Sequence, residues 1–579
     1  MAFKPPCVYI LALSVGSLQA MVSGFTVVGR IEDSQASPVA GARVTLFAES
    51  LETFQEAWTG DEGNYRIAEM SAGIFRFGVA APGYDYEEFE LSIGPSDAIR
   101  DVSLQPESHP GRWAIVGSTL PDFLDATNIA LLTPEGKVYY CHSTDDPVVF
   151  DPVTGESHFP QGSGTEQGCM NGTLLADGRL IMVGGQSPTN PGSFRNAIRW
   201  VKTYSFVDDT WQRLSDLVHP VGRWYPGLAR LADGRLLAMG GGTRPNATRT
   251  ATCELFDPVL QHWRYTGSMV NPCEFPPSAL LHTGEVLATW SPPQLFDAVT
   301  ETWRRTGAFN QPHRGWPDHS DHSLVVLADG RALAIGIRAP SSSGSGRTRG
   351  GRAGEAVMGE IYDPNQGTWD LTSNSGLVRL QPEVVQLPDG KILVAAGETQ
   401  VSIPPVETLL GVVKWCDLYD PVLDAWRRVA DMHQYREYHA VTLLVPDGRV
   451  LTTGGTRIKF QVGPSSADIE AYEPPYLFRG VRPEIVGVSA TDLARADELS
   501  LEIFPETRIT SIVLIGTPAT THWVDAGIPR RLVLPVTQSG GFVAATLPSD
   551  PNVLPLGFYM VFAMVDDIPS VAWIVKIVA

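Results

Sequence analysis

Basic side chains are scarce in this sequence: 43 Lys and Arg stand against 64 Asp and Glu, a formal net charge of -21 over 579 residues. A nucleic-acid binder needs basic density to displace counterions from phosphates, so that class of partner is excluded. No stretch beyond the extreme N-terminus is long and apolar enough to span a bilayer. No Gly-rich dinucleotide fingerprint stands in a βαβ context, so no motif calls for a nicotinamide or a flavin. Cysteine is also sparse, six residues in all. Lys4, an apolar core over 8–13 and small residues towards Ala20 read as a signal peptide at 1–20, which makes the chain secreted or periplasmic. Export leaves Cys141, Cys169, Cys253, Cys273 and Cys416, an odd set in which at least one thiol needs a fate other than an internal disulfide.

What is abundant is glycine and proline, 56 and 45 residues, between short valine-rich runs. That composition favours many strands and turns over long helices, and the length calls for more than one domain. Runs at 26–30, 42–48 and 74–80 are punctuated by turn sequences at 38–42, 60–65 and 81–84. Together they resemble the carboxypeptidase regulatory-like family, which implies a small β-sandwich over 25–107 that acts as a spacer or weak binder. Alternating short runs from about residue 482 to the end read as a second, Ig-like sandwich over 476–579.

Between them, over 108–475, an apolar strand runs seven times into a tight turn and a second apolar strand. The turn glycines are Gly136, Gly178, Gly234, Gly284, Gly330, Gly390 and Gly448. Several units add an Asp followed by a Trp at fixed spacing: Asp257 with Trp263, Asp297 with Trp303, Asp363 with Trp369, and Asp420 with Trp426. Paired hairpins with a recurring Trp at a period of roughly 50 residues are the signature of kelch-type propeller blades. The expected fold is therefore all-β, a seven-bladed kelch-type propeller flanked by two sandwiches.

In a propeller the first strand of each blade lines the central channel, so equivalent positions form a ring. Eight residues before the turn Asp or its substitute stand Thr127, Cys169, Tyr225, Phe275, Asp321, Gln381 and His439. Cys169, Tyr225 and His439 share one arc of that ring. Each has a bland reading as core Cys, core Tyr or hydrogen-bonded His. Three reactive groups in one register are hard to obtain that way. Tyr438 precedes His439 directly, and neighbours on a regular strand face opposite ways, so both reach one metal only where the strand starts irregularly.

These residues carry a second resemblance. Gly168-Cys169 ahead of LLADGRL, Arg223-Trp224-Tyr225 ahead of LADGRLLAMGG, Arg436-Glu437-Tyr438-His439 ahead of LLVPDGRV, and Thr521-His522 stand in one order along the chain. The order is similar to that of the galactose oxidase and glyoxal oxidase group, the copper radical oxidases. The resemblance implies one copper held by Tyr225, Tyr438, His439 and His522, the last from a hairpin inserted into the channel. It also implies a thioether between Cys169 and the Tyr225 ring, which accounts for the odd cysteine. Two imidazoles and two phenolates suit Cu(II) in any case, with zinc the competitor. Tyr438 is then the general base for a primary alcohol or hydrated aldehyde, the Cys169–Tyr225 pair the radical, and dioxygen the acceptor that leaves as hydrogen peroxide.

Galactose oxidase stacks a tryptophan on its cross-linked tyrosine, and the aligned residue here is Thr243, which favours a glyoxal-oxidase-like substrate. Trp224 and Trp316 are candidate shields. The loop 341–354, with Arg347, Arg349 and Arg352, belongs over the same face, and paired arginine donors can hold a small acidic aldehyde. Asp321, Gln381, His319 and His322 are further substrate-contact candidates. Among the other cysteines, Cys253 with Cys273 is an available disulfide and Cys253 with Cys416 is not. Asn246 heads a glycosylation sequon. The chain is read as a monomer whose partners are a small alcohol or aldehyde, dioxygen and, as a further class, carbohydrate. A secreted adhesion or glycan-binding propeller with a vestigial site is the competing reading, since propellers host both.

Overall fold

A computed structural model describes residues 24–48, 53–94, 96–118, 129–141, 147–160, 167–186, 197–242, 248–290, 292–311, 322–336, 357–375, 379–398, 408–409, 412–437, 439–455 and 468–579. The signal segment, Thr127, Thr243, Asn246, Trp316, His319, Asp321, the loop 341–354 and Tyr438 lie outside those residues. The protein is all-β: among the described residues the one helical element is a 3₁₀ turn at Pro475–Phe478. None of the described helices is long and apolar enough to cross a membrane.

The chain divides into two compact units, Met1–Glu107 and Ser108–Ala579. In the first, Phe25–Asp33 and Asn64–Met70 lie in one sheet, while Arg43–Ala48, Thr53–Trp58, Gly73–Ala80 and Glu87–Ile93 form another. Val27 and Ile31 from the first sheet share a core with Val44, Leu46, Phe75 and Phe77 from the second.

Among the described residues the second unit holds seven antiparallel sheets in succession. Their first strands are Ile129–Leu132, Asn171–Leu174, Gly227–Arg230, Ser278–Leu280, Ser323–Val326, Glu383–Gln386 and Ala440–Leu444. Each first strand lies beside the next, and Ala440–Leu444 lies beside Ile129–Leu132 again. The turn that joins first and second strands explains the repeated Asp-Gly. Gly178 adopts φ +98°, the left-handed conformation glycine takes without strain, and Asp177 Oδ1 accepts from Arg179 N at 3.0 Å. The Asp-to-Trp marker closes the outer hairpin: Asp257 Oδ1 accepts from the N–H groups of Val259 and Leu260, and the Trp263 ring packs 5.1 Å from that of Phe256. The seventh sheet takes its outer strand from the opposite end of the unit, Arg112–Ser118 paired with Asp468–Glu473.

The C-terminal segment forms two further sheets, one built around Glu498–Phe504 and the other around the fully buried strand Gly557–Val565. Val513, Ile515, Met560 and Phe562 from the latter share a core with Val385 and Leu443 of the sixth and seventh sheets. From it a hairpin, Ala519–Thr521 and Val524–Asp525, adds to the first sheet, with Thr520 opposite Ala130 and Ala519 opposite Leu131. Cys253 and Cys273 form no disulfide, although both belong to one apolar cluster. The Cys273 thiol contacts Met269 Sδ at 3.2 Å, a soft packing contact that uses the sulfur without a partner cysteine.

Candidate metal centre

The first strand of a sheet starts irregularly, and the irregularity recurs in register. Cys169, Tyr225, Phe275, Gln381 and His439 all have positive φ, between 49° and 72°. Bulky L-residues avoid that region at a cost of about 1–3 kcal/mol each, so the surrounding structure imposes it. Backbone hydrogen bonds passed from sheet to sheet do part of this: Tyr225 N donates to Cys169 O at 3.2 Å, and Phe275 N to Tyr225 O at 2.9 Å.

Buried arginines do the rest. Arg223, two residues before Tyr225, pairs with Glu254 at 2.8 Å with neither side chain exposed, and donates to Gly240 O and Thr252 O. Arg436, three before His439, pairs with Glu470 at 2.8 Å, again fully buried, and donates to Gly454 O and Asp468 O. Arg379, two before Gln381, repeats the pattern with Asp417, Ala396 O and Trp415 O. Burial lowers the Arg436 pKa, and the charge and hydrogen bond of Glu470 oppose that.

The hairpin delivers His522, also at positive φ, 55°. Its Nδ1 meets the Thr521 hydroxyl at 2.9 Å, and its Nε2 lies 3.0 Å from the Tyr225 hydroxyl. The ring of His439 stands 4.4 Å from that of His522, nearly edge-on at 67°. Tyr225, His439 and His522 are all buried. The hairpin is pinned from several sides: Ser323 Oγ donates to Trp523 O at 2.6 Å, and Asp525 Oδ1 accepts from Ala519 N and Gly527 N. The site thus gathers one oxygen and two nitrogen donors from the third sheet, the seventh sheet and the C-terminal segment.

Tyr225 is walled by aromatic rings. Trp224 lies 4.7 Å away, Phe275 5.0 Å and His522 5.1 Å, centroid to centroid. Cys169, half-buried, packs on the same small cluster of Tyr225, Phe275, Trp523 and Val524, and receives a contact from Gln186 Nε2 at 3.6 Å. Phe275 holds the same strand-start position as Cys169 and Tyr225, while Trp523 and Gln186 belong to neither the repeat nor the quoted motifs. Trp523 follows His522 directly, so adjacency was the available signal; nothing in the sequence singles out Gln186. His322 is fully buried, contacts the Thr289 hydroxyl at 2.8 Å and meets Phe309 edge-on, a packed position. Asn171 is fully buried and donates to Pro226 O, so its sequon accepts no glycan.

Among the described residues no three His, Cys, Asp or Glu side chains gather into a metal-binding group. A set completed by phenol oxygens has a different composition, and the donors present here, buried imidazoles beside a phenol, fit Cu(II). The Thr521 contact leaves Nε2 of His522 facing the other donors, as a ligating histidine requires.

The chain is similar in sequence and fold to several known proteins. Residues 482–577 match the galactose oxidase-like early set domain, and residues 26–105 match the carboxypeptidase regulatory-like domain. A galactose oxidase from Gibberella zeae is 24% identical over 455 residues, 71% of this chain and 60% of that protein. An aldehyde oxidase GLOX from Vitis pseudoreticulata is 23% identical, over 72% of this chain and 82% of that protein. A WSC domain-containing protein from Arthroderma benhamiae is 26% identical over 71% of this chain, which spans 45% of its length. A solved structure described as a novel fungal alcohol oxidase of the AA5 family, in complex with copper, shares the fold at a TM-score of 0.61 and 20% identity, covering 81% of this chain and all of that one. The chain is thus similar to the galactose oxidase and glyoxal oxidase group in both sequence and fold.

Proposed function

We propose that this galactose oxidase-like chain is a copper radical oxidase. It would convert a primary alcohol to the aldehyde, or a small aldehyde as its hydrate to the acid, while dioxygen is reduced to hydrogen peroxide. The observation that carries the reading is the meeting of Tyr225 OH with His522 Nε2 at 3.0 Å, with the His439 ring 4.4 Å from that of His522. The scaffold is read as a seven-bladed kelch-type propeller between two β-sandwiches, over 25–107, 108–475 and 476–579. The return of Ala440–Leu444 to Ile129–Leu132 supports a closed ring. The apolar segment at 8–13 behind Lys4 supports export.

Tyr225, Tyr438, His439 and His522 would hold the copper, which when bound accepts one electron and acidifies a coordinated hydroxyl. Tyr438 takes the hydroxyl proton as general base. Tyr225, joined to Cys169 as a thioether and oxidised to a radical, takes the hydrogen atom from the carbon. Dioxygen recovers both electrons and both protons and leaves as hydrogen peroxide. Trp224, Phe275 and Trp523 keep water from the Tyr225 ring, a shield that supports a long-lived radical without the tryptophan that Thr243 replaces. Thr243 also supports a glyoxal-oxidase-like over a galactose-oxidase-like substrate.

The test is a peptide map of the copper-loaded protein together with its peroxide output on glyoxal, glycolaldehyde, glycerol and galactose. A Cys169–Tyr225 cross-linked peptide and peroxide from the aldehydes are expected. An unmodified Cys169 thiol with silence on all four would leave a binding propeller as the reading.

A further inference from the structure

Away from the proposed copper ligands, two arginines are buried with no acid against them. Arg230, at the end of the third sheet's first strand, is 5% exposed, and Arg530, just beyond the hairpin, is 2% exposed. Among the described residues neither has a carboxylate within 4.0 Å. Arg530 donates to Val553 O at 3.0 Å and to Asn552 O and Leu280 O, which leaves its Nε without a partner among the described residues. Arg230 leaves both Nε and Nη1 without one. Three buried N–H donors on two cations are therefore unsatisfied, a costly arrangement unless something accepts from them.

The described residues offer no counter-ion. Asp177, the acid whose field reaches Arg230, is committed to Arg179 at 2.7 Å. Tyr559 lies in the field of Arg230, Arg530 and a third cation, Arg495. Burial nonetheless pushes its phenol up to about 12, and its hydroxyl donates to Pro555 O at 2.9 Å, so it stays neutral. Arg230 and Arg530 line one cavity of about 10 Å³, bounded also by Ala279, Gly527 and Pro555. That is room for a single particle of about the size of water.

We propose that this cavity is a structural anion site that holds one monatomic halide, chloride under ordinary conditions, between the guanidinium groups of Arg230 and Arg530. A halide satisfies several N–H donors at once and neutralises charge in a small cavity lined by both arginines. It ties the third sheet, whose first strand starts just after Tyr225, to the segment behind His522. The site does not depend on the oxidase reading, because neither Arg230 nor Arg530 is among the residues proposed to hold copper or to react.

Crystals of the full-length protein soaked in sodium bromide, with diffraction recorded at the bromine edge, test it directly. An anomalous peak within hydrogen-bond reach of Arg230 and Arg530 is expected. Thermal unfolding in sodium bromide against sodium methanesulfonate at equal ionic strength should show a midpoint about 1–2 °C higher in bromide, saturating with concentration, as one site occupied at tenfold its dissociation constant gives in a unit this large. Arg230→Met should abolish the difference, and Arg230→Lys, which keeps the charge, serves if the Met variant fails to fold. A water at the site with no anomalous signal, or equal midpoints in the two salts, overturns the proposal.

Discussion

Replacing Arg436 by Met tests whether buried ion pairs hold the donor strands in place. The substitution keeps much of the side-chain length and removes the cation. Glu470, fully buried, is left with the N–H groups of His433 at 2.7 Å and Gln434 at 3.2 Å, while Gly454 O and Asp468 O lose their donor. Breaking one side of a buried pair costs about 3–5 kcal/mol because the other charge stays behind. For a cooperative unit of roughly 470 residues the unfolding entropy is about 1 kcal/mol per degree, so the thermal midpoint should fall by about 3–5 °C. His439 lies three residues on, in its strained conformation, and copper affinity should drop about 10–100-fold as for other supports behind a ligand. Calorimetry and competitive copper titration give both numbers. Arg436→Met combined with Glu470→Gln removes the stranded charge yet keeps an acceptor for the two N–H groups, and should recover most of the midpoint. A single variant within about 1 °C of the parent, or a double variant no better than the single, would refute the reasoning.

His522→Ala and His439→Ala should each abolish tight, stoichiometric copper binding in a titration while leaving the far-ultraviolet spectrum unchanged, since both rings serve the site more than the sheets. Gly516→Ala sets a Cβ 2.3 Å from Ile528 Cβ and 2.4 Å from Ile528 O, behind the hairpin. It should cost about 1–3 kcal/mol and lower copper content after purification, read by calorimetry and metal analysis. Glu383 is buried, and desolvation, reinforced by the charge of Asp525, holds its carboxyl well above the ordinary range against a backbone hydrogen bond from Thr442. The folded state therefore keeps a proton that the unfolded chain releases near the ordinary glutamate value of about 4.3. That contribution to stability is full below the unfolded pKa and is lost as pH rises through the raised folded pKa. Glu383→Gln should raise the thermal midpoint relative to the parent at about pH 8, with the gap closing towards about pH 4; a gap that does not change with pH refutes the assignment.

Much of the architecture was legible because it is written locally. The turn glycines and Asp-Trp markers specify hairpins through backbone conformation and short-range hydrogen bonds, so the all-β class, the recurring hairpins and the shared strand-start position of Cys169, Tyr225 and His439 follow from spacing. The same locality explains what spacing missed. The donor role of Arg223 and Arg436 depends on Glu254 and Glu470, some thirty residues away, and neither acid carries a mark that distinguishes it from a surface residue. The Phe275 and Trp523 walls and the Gln186 contact arise where chain segments from different sheets converge. The cysteines are a case in point: spacing left Cys253 and Cys273 available to each other, and packing used them as buried apolar groups.

By itself, then, the sequence determined which elements form and which side chains reach the inner ends of the sheets, because turn chemistry and strand alternation act over a few residues. Only the tertiary structure decided that Tyr225, His439 and His522 converge. Their meeting depends on left-handed strand starts imposed by neighbouring sheets and on a C-terminal hairpin laid along Ile129–Leu132, both enforced by contacts between residues far apart in the chain.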